Sequence, residues 1–319
     1  MLAPQAWASQ PRGRLGGQSV QRIVVIGGMQ RSGTNLLRRI VGSNSRIAIP
    51  PTEFKFFAQY KMGATVDQIF ANRKLRQWKI DLRPFASLPH PEAFRQALAH
   101  YADACGKEIP GEKTPLNEFH YGLIEQWLQD YELRFLQMVR NPLDVIASHK
   151  HAPHRGDKRG TQIDVRSQCA RWRRSVSLGL ARAYATPEKY RVVRYEDLTA
   201  DPVGVTRTLC DYLGVEFEEA RMLTLSDYTE RVGNTSFVQT DGDRHAEYPT
   251  IRQLGTRKHH LTPQERAVIA QLCGELAEAL GYDDDDLRTR ARPPEGKLPE
   301  ADRLDQDRGR ARAGRAALP

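Results

Sequence analysis

Short apolar runs that end at glycine or arginine and give way to longer amphipathic stretches dominate the pattern of this chain. Ile23 to Ile26, Leu133 to Val139 and Tyr190 to Tyr195 are strand-length runs rich in β-branched, aromatic and other apolar residues, with shorter ones at Ile47 to Ile49 and near Glu108 to Ile109. Helical spacing covers Asn35 to Gly42, Pro91 to Ala104, Asn117 to Gln129, Val165 to Tyr184, Pro202 to Leu213 and Pro263 to Leu280, and another helix begins around Pro142. Asp201 before Pro202 and Thr262 before Pro263 each supply a side-chain cap followed by a proline suited to the first helical position. The intervals between strands are far longer than a hairpin needs, so the connections are crossovers. The expected fold is α/β, three-layered, with a central parallel sheet flanked by helices.

The pattern stops at both ends. Residues 1–21 have no periodicity and residues 284–319 contain no aromatic side chain, so both are expected to be disordered extensions of one domain spanning 22–283. The formal charge is +9, but three arginines without any acid fall in the first 22 residues, and the C-terminal segment adds a small surplus. The core is therefore only modestly basic, which suits an anionic ligand and demands no nucleic-acid partner. No apolar run approaches the roughly 18 to 20 residues of a membrane span, and the N-terminus lacks the apolar stretch of a secretory signal, so cytoplasmic residence is expected. Cys105, Cys169, Cys210 and Cys273 are widely spaced and read as small buried apolar residues.

Candidate chemistry begins where the first strand meets the first helix. Gly28 and Gly33 have the separation of the phosphate loop GxxxxGK[ST], which makes the expected fold P-loop-like. Thr34, however, stands where the Lys belongs, and Asn35 where the Mg²⁺-binding hydroxyl belongs. Arg31 is the loop's only cation, so a phosphate-bearing ligand would be held without the usual Lys and Mg²⁺ pair. Taken alone, the segment is equally a plain strand-turn-helix connection. Arg140 closes the strand of Leu133 to Val139, and Ser148 lies about two helical turns further on. An Arg fork plus a hydroxyl can hold a second phosphate, although an arginine capping a strand end fits the same positions.

Together these segments resemble sulfotransferases that use 3′-phosphoadenosine 5′-phosphosulfate (PAPS). Gln30 to Thr34 is similar to the family's 5′-phosphosulfate loop, which implies donor contacts from Gln30, Arg31, Ser32, Gly33, Thr34 and Asn35. Arg140 to Ser148 resembles the element that binds the 3′-phosphate, and GEKTP at Gly111 to Pro115 the family's Lys-Thr-Pro element. VRYEDLTADP at Val193 to Pro202 resembles its YEDLxxDP element, whose Tyr, here Tyr195, lies near the adenine. Gly255 to Tyr282, with Arg257 and Lys258, is like the family's closing segment. The resemblance implies in-line sulfuryl transfer from PAPS to an acceptor hydroxyl or amine, with PAP as product and no metal required. It also implies Arg31 at the bridging region and Lys113 at the sulfonate. On the residues alone, Lys113 follows a Gly-Glu turn and reads as a surface lysine paired with Glu112.

The aryl and steroid branch of that family takes its base from a His in the Lys-Thr segment, where this chain has Thr114 and Pro115. The tyrosylprotein and glycan branches use a Glu soon after the first helix. Glu53 in PPTEFKFF fits that placement, so the chain looks closer to those branches. Phe54, Phe56 and Phe57 are expected to raise the Glu53 pKa by desolvation, with Lys55 opposing. Read without the resemblance, Glu53 is an N-terminal helix carboxylate after Thr52. His149, His151 and His154 lead into a basic segment with Lys150, Arg155, Lys158 and Arg159, expected to be a mobile loop on the acceptor side. Neither they nor His259 and His260 have metal-ligand spacing. Trp172, Arg173 and Arg174 read as structural. The acceptor class is open among carbohydrate, lipid, peptide and small metabolite, with its pocket expected from residues 63–89 and 214–259. Two rival readings stand: a P-loop kinase or NTPase, which requires a Lys at position 34, and a non-catalytic polyanion-binding protein, which accounts for charge alone.

Overall fold

The computed structural model describes residues 21–151, 163–224, 258–282 and Leu287. Five strands form one sheet: β1 (Arg22–Gly28), β2 (Ile47–Ala48), β3 (Ile109–Lys113), β4 (Glu132–Val139) and β5 (Tyr190–Arg194). Their order is β2-β3-β1-β4-β5, and every neighbouring pair is parallel. The described helices are α1 (Thr34–Ser43), α2 (Phe56–Lys61), α3 (Val66–Phe70), α4 (His90–Ala104), α5 (Tyr121–Trp127), α6 (Pro142–His151), α7 (Val165–Ala185), α8 (Tyr195–Ala200), α9 (Pro202–Leu213), α10 (Glu219–Leu223) and α11 (Pro263–Ala279). With the glycine loop after its middle strand, this is the P-loop-like three-layer arrangement expected from the sequence. No described helix is long and apolar enough to cross a membrane.

The period of two along β1 divides the core. Ile23 and Val25 face a cluster with Phe94 of α4 and Ile124 of α5, whereas Val24 and Ile26 face one with Leu37 and Ile40 of α1 and Leu209 of α9. Both faces are covered, which is why β1 reads as an unbroken apolar run. A third cluster joins α6, α7 and α11 through Leu143, Trp172 and Ile269. Asp201 and Thr262 cap α9 and α11 as expected, Thr262 forming a reciprocal capping box with Glu265.

Five expectations need correction. Lys113 does not follow a turn: Gly111, Glu112 and Lys113 continue β3, where Gly111 lies against β1 so closely that a Cβ would sit 2.8 Å from the Val24 carbonyl oxygen. Residues 117–129 are not one helix but a 3₁₀ turn, Asn117–His120, followed by α5, in keeping with the weak helix formers Asn117, Phe119, His120 and Gly122. Tyr195 opens α8 and does not end β5. Cys105 is exposed, because α4 ends there at a Gly106 turn, whereas Cys169, Cys210 and Cys273 are buried. Leu287, expected in a disordered tail, is instead buried in the cluster that joins α6, α7 and α11. Apart from Gln21 and Leu287, the expected tails lie outside the described residues, as do Arg155, Lys158, Arg159, His154, Arg257 and the His151 side chain.

Gly28 is the tightest point of the fold near the loop. Its φ is +122°, and a Cβ would lie 2.3 Å from the Met138 carbonyl oxygen. Gly28→Ala is expected to destabilise the protein by about 2 kcal/mol or more. Gly122→Ala, with nothing within 4 Å of the added methyl, should be neutral or stabilising in the same thermal melts.

Candidate active site

Three strand ends meet at one edge of the sheet. β1 leads into the glycine loop, and its neighbours β3 and β4 end at Lys113 and just before Arg140. Arg31 takes a left-handed φ of 72° and Gly33 one of 99°. A Cβ on Gly33 would fall 2.5 Å from the Tyr195 ring, so the missing side chain lets the ring lie against the loop. Ser32 and Thr34 are buried, while Gln30 and Asn35 are partly exposed at the loop and at the start of α1. Gly33 offers no side chain to cap α1, so the helix's first N–H groups face the loop with the positive end of the helix dipole.

On the β4 side lie the residues expected from the sequence to hold a second phosphate. Arg31 Nε donates to Ser148 Oγ at 3.0 Å, and Arg140 Nη1 reaches the Arg31 carbonyl oxygen at 3.5 Å. The Arg140 guanidinium lies 4.2 Å over the Tyr195 ring, and its buried Nε has no hydrogen-bond partner. Trp172 Nε1 donates to the Arg140 carbonyl at 2.9 Å, which gives the expected structural tryptophan a task at the site. His149 is drawn to the loop, with Nε2 3.1 Å from the Gln30 carbonyl oxygen. The 3₁₀ turn Lys258–His260 packs on α6, the helix that carries Ser148.

On the β3 side, Lys113 is almost fully buried and does not pair with Glu112. Its Nζ lies 3.3 Å from Glu53 Oε1, and Lys55 Nζ lies 3.4 Å from Glu53 Oε2. Glu53 stands ahead of α2, whose N-cap is Lys55, so it is no helix-terminal carboxylate. Burial raises the Glu53 pKa as expected from its surroundings, but Lys113 and Lys55 together outweigh burial and hold it below the usual carboxylate range. Of the two opposing effects expected from the sequence, the cationic one prevails: the sequence offers Lys55, and the fold adds Lys113. Phe54, Phe56 and Phe57 turn into the aromatic core. Burial depresses the Lys113 pKa, Glu53 opposes this, and Arg38 of α1 lowers it further. Arg38 escaped sequence reasoning, although it lies one helical turn after Thr34.

Behind each strand end lies a buried carboxyl group that the sequence did not reveal as part of the site. Glu118 Oε2 accepts the Gly28 N–H at 2.7 Å, and its other oxygen accepts from Ser175, which belongs to a chain through Gln137 to the Tyr190 hydroxyl. Glu196 Oε1 accepts the Asn141 N–H at 3.0 Å. Glu112 accepts from Thr114 Oγ1 at 3.0 Å and from Asn117 Nδ2. Burial raises the pKa of all three, that of Glu112 to about 7. Among the described residues, no group of three or more His, Cys, Asp or Glu is placed to hold a metal ion.

The model of the sulfotransferase family matches residues 23–219, which contain every site residue above except Lys258. The omega-hydroxy-beta-dihydromenaquinone-9 sulfotransferase Stf3, from Mycobacterium bovis and Mycobacterium tuberculosis, is 27% identical over 180 residues. That match covers 54% of this chain and 40% of the relative, so the chain spans less than half the length of the curated relatives it matches. Among solved structures, the sulfotransferase domain of the Synechococcus PCC 7002 olefin synthase is 19% identical, with 85% of this chain and 99% of that chain covered and a TM-score of 0.48. A sulfotransferase from Alicyclobacillus acidocaldarius is likewise 19% identical, with 85% and 100% covered and a TM-score of 0.48.

The raised pKa of Glu112 has a measurable sign. As pH rises from the ordinary carboxylate range towards 7, the unfolded chain loses this proton while the folded protein keeps it. Stability from this group therefore falls with rising pH, by about 3 kcal/mol across the window. Glu112→Gln cannot titrate, so its stability relative to wild type should climb over that range in urea unfolding at stepped pH.

Proposed function

The chain belongs to the sulfotransferase family, and from that premise we propose that it moves a sulfuryl group from PAPS to an acceptor hydroxyl or amine by in-line transfer, with Glu53 as general base. The observation that carries this reading is the carboxylate of Glu53 set 3.3 Å from the buried ammonium of Lys113, at the strand end beside the phosphate loop. A base and a cation side by side are what transfer to a hydroxyl needs, one for the acceptor proton and one for the charge on the sulfonate. The family match favours this over a kinase or NTPase, and the Thr34 and Asn35 substitutions agree with it.

The residues present fit such a donor. The glycine loop and the start of α1 suit its 5′ end, with Gln30, Ser32, Gly33, Thr34 and Asn35 around it. Arg31, Arg140 and Ser148 form a cationic and hydroxyl group suited to the 3′-phosphate, and the Arg140 Nε without a partner is a donor in want of an acceptor. Arg31 thus stands with the second phosphate site as much as with the bridging region. Tyr195 supplies an aromatic face beside the loop, and Lys258 and Arg257 would add charge from the closing segment. The acceptor class is still open. Stf3 is named for a menaquinone-type acceptor, which makes a lipid alcohol the first class to try.

Charge balance accounts for how Glu53 becomes a better base when the site fills. In the resting protein Lys113 and Lys55 keep it ionised and weakly basic. Negative charge brought to Lys113 offsets the ammonium's field, and burial then pushes the Glu53 pKa upward. The acid limb of kcat/KM, which reports the free enzyme, should lie at lower pH than the acid limb of kcat. Because burial lowers the Lys113 pKa, loss of its proton should bring an alkaline limb below the ordinary lysine range.

PAP should bind more tightly than adenosine 5′-phosphate, and Arg140→Ala should erase the difference, at a cost of roughly 1.5 to 3 kcal/mol in calorimetry. Equal affinities in the wild type would remove the second phosphate site.

Glu53→Gln should leave PAP affinity little changed and lower turnover on the order of 10²-fold or more. Near-normal turnover would sink Glu53 as base and turn attention to His149 and His151. Activity should survive EDTA, since Arg31 and Lys113 supply the fixed positive charge. A strict Mg²⁺ requirement with ATP hydrolysis would favour the kinase or NTPase.

A further inference from the structure

We propose that Glu112 and Thr114 are positioning residues for the catalytic carboxylate: they lock the backbone at Lys55 and so hold Glu53 against Lys113. The inference rests on the reading of Glu53 as base. Thr114 Oγ1 accepts the Lys55 backbone N–H at 3.0 Å and donates its own proton to Glu112 Oε2 at 3.0 Å. A hydroxyl has one proton to give, so Glu112, by taking it, leaves the Thr114 lone pairs facing Lys55. The second Glu112 oxygen accepts from Asn117 Nδ2, which also donates to the Ile26 carbonyl at 3.3 Å and so ties the relay to β1. Glu112, Thr114 and Asn117 are all buried.

The anchored segment needs such a tie. Lys55 sits at φ 58°, a left-handed conformation that a side chain other than glycine rarely adopts. It caps α2 without a side-chain hydrogen bond, and its own side chain is half-exposed, held among the described residues only by the Glu53 ion pair at 3.4 Å. Upstream, Thr52 is fixed by the Trp78 indole N–H at 2.9 Å, so Glu53 is suspended between two hydroxyl anchors. Glu112, Lys113 and Thr114 are consecutive, the first two in β3 and the third directly after it. One rigid strand end therefore sets both the ammonium and the downstream anchor of its partner carboxylate. Loss of the Thr114 bond would leave the Lys55 N–H without a partner and let the turn relax, moving Glu53 rather than the donor loop.

The test uses the full chain, labelled PAPS as donor and a detergent-dispersed long-chain primary alcohol as acceptor. Thr114→Val, which keeps the shape but not the hydroxyl, should lower kcat between about 10- and 100-fold with little change in donor KM, PAP affinity or melting temperature. Thr114→Ser should restore most of the rate. Glu112→Gln, whose amide cannot accept from both Thr114 and Asn117, should lower kcat in the same sense. In a Glu53→Gln background, Thr114→Val should cost almost nothing further, a non-additivity that a merely structural threonine would not produce. Near-normal kcat in Thr114→Val and Glu112→Gln, alongside a large loss in Glu53→Gln, overturns this inference and leaves the base reading intact. Normal turnover in Glu53→Gln overturns both. Should Thr114→Val fail to fold, hydrogen exchange on the wild-type protein decides. The Lys55 amide should be strongly protected, and exchange at the rate of an open loop refutes the relay.

Discussion

β1 is hydrogen-bonded along both edges, to β3 and to β4, and all three strands run parallel. Parallel pairing in register forces their carboxyl ends onto one edge of the sheet, with Ile26 opposite Lys113 and Gly28 opposite Met138. The loop after β1 must then pass between whatever ends the two neighbours carry. Here those are a lysine on one side and an arginine on the other, at the point where the strand order reverses direction and open α/β sheets form their crevice. Displacing any one strand by a residue would turn Lys113 or the Arg140 turn to the wrong face, because side chains alternate along a strand.

That constraint explains how the loop manages with Thr34 where a lysine is usual. A lysine in the loop moves with the loop, and a metal must be held by a hydroxyl beside it. In this chain the fixed charge comes from the flanking elements: Lys113 from β3, Arg140 from the end of β4, and Arg38 from α1, with Arg31 the loop's own contribution. Burying Lys113 is costly, and Glu53 offsets part of that cost through its ion pair. The pairing has a chemical consequence. The group that makes the buried ammonium tolerable is also the group whose basicity the ammonium suppresses, so the two are coupled from the start.

Much of this architecture was legible in the sequence because burial on both faces leaves apolar runs that no surface strand would tolerate. β1 and β4 stand out for that reason, the edge strand β5 by its Tyr190, Val192 and Val193, and the capped, proline-led starts of α9 and α11 for reasons of local hydrogen bonding. The loop, Arg140, Ser148 and Tyr195 were legible as motifs, and the fold brings them together. The sequence pattern marks only Glu108 and Ile109 of β3, because Pro110 and Gly111 look like a turn and because Glu112 and Lys113 are buried polar residues, the case that periodicity cannot report. The sequence shows only part of the balance that sets the Glu53 pKa, for a related reason. Its nearest neighbours in sequence are aromatic, but the nearest charge besides Lys55 lies 60 residues away in β3.

The buried carboxyls share one placement that local sequence cannot express. Glu112 stands behind the end of β3, Glu118 behind the end of β1 and Glu196 behind the end of β4, each holding a backbone N–H of a turn or a hydroxyl beside it. Acids beneath a cationic rim oppose the binding of an anion when they are charged. Burial pushes all three towards the neutral form, which weakens that opposition while a hydrogen bond to the turn remains possible. A neutral amide in place of Glu112 or Glu118 would set an N–H against one of two partners that both already donate, Thr114 and Asn117 in the first case and Gly28 and Ser175 in the second. An ionised carboxylate accepts at both oxygens, as those of Glu112 and Glu118 do here, and the rise in pKa is the cost of burying such a group. The cations at the strand ends and the acids behind them are therefore two layers of one arrangement, the first setting charge and the second setting position.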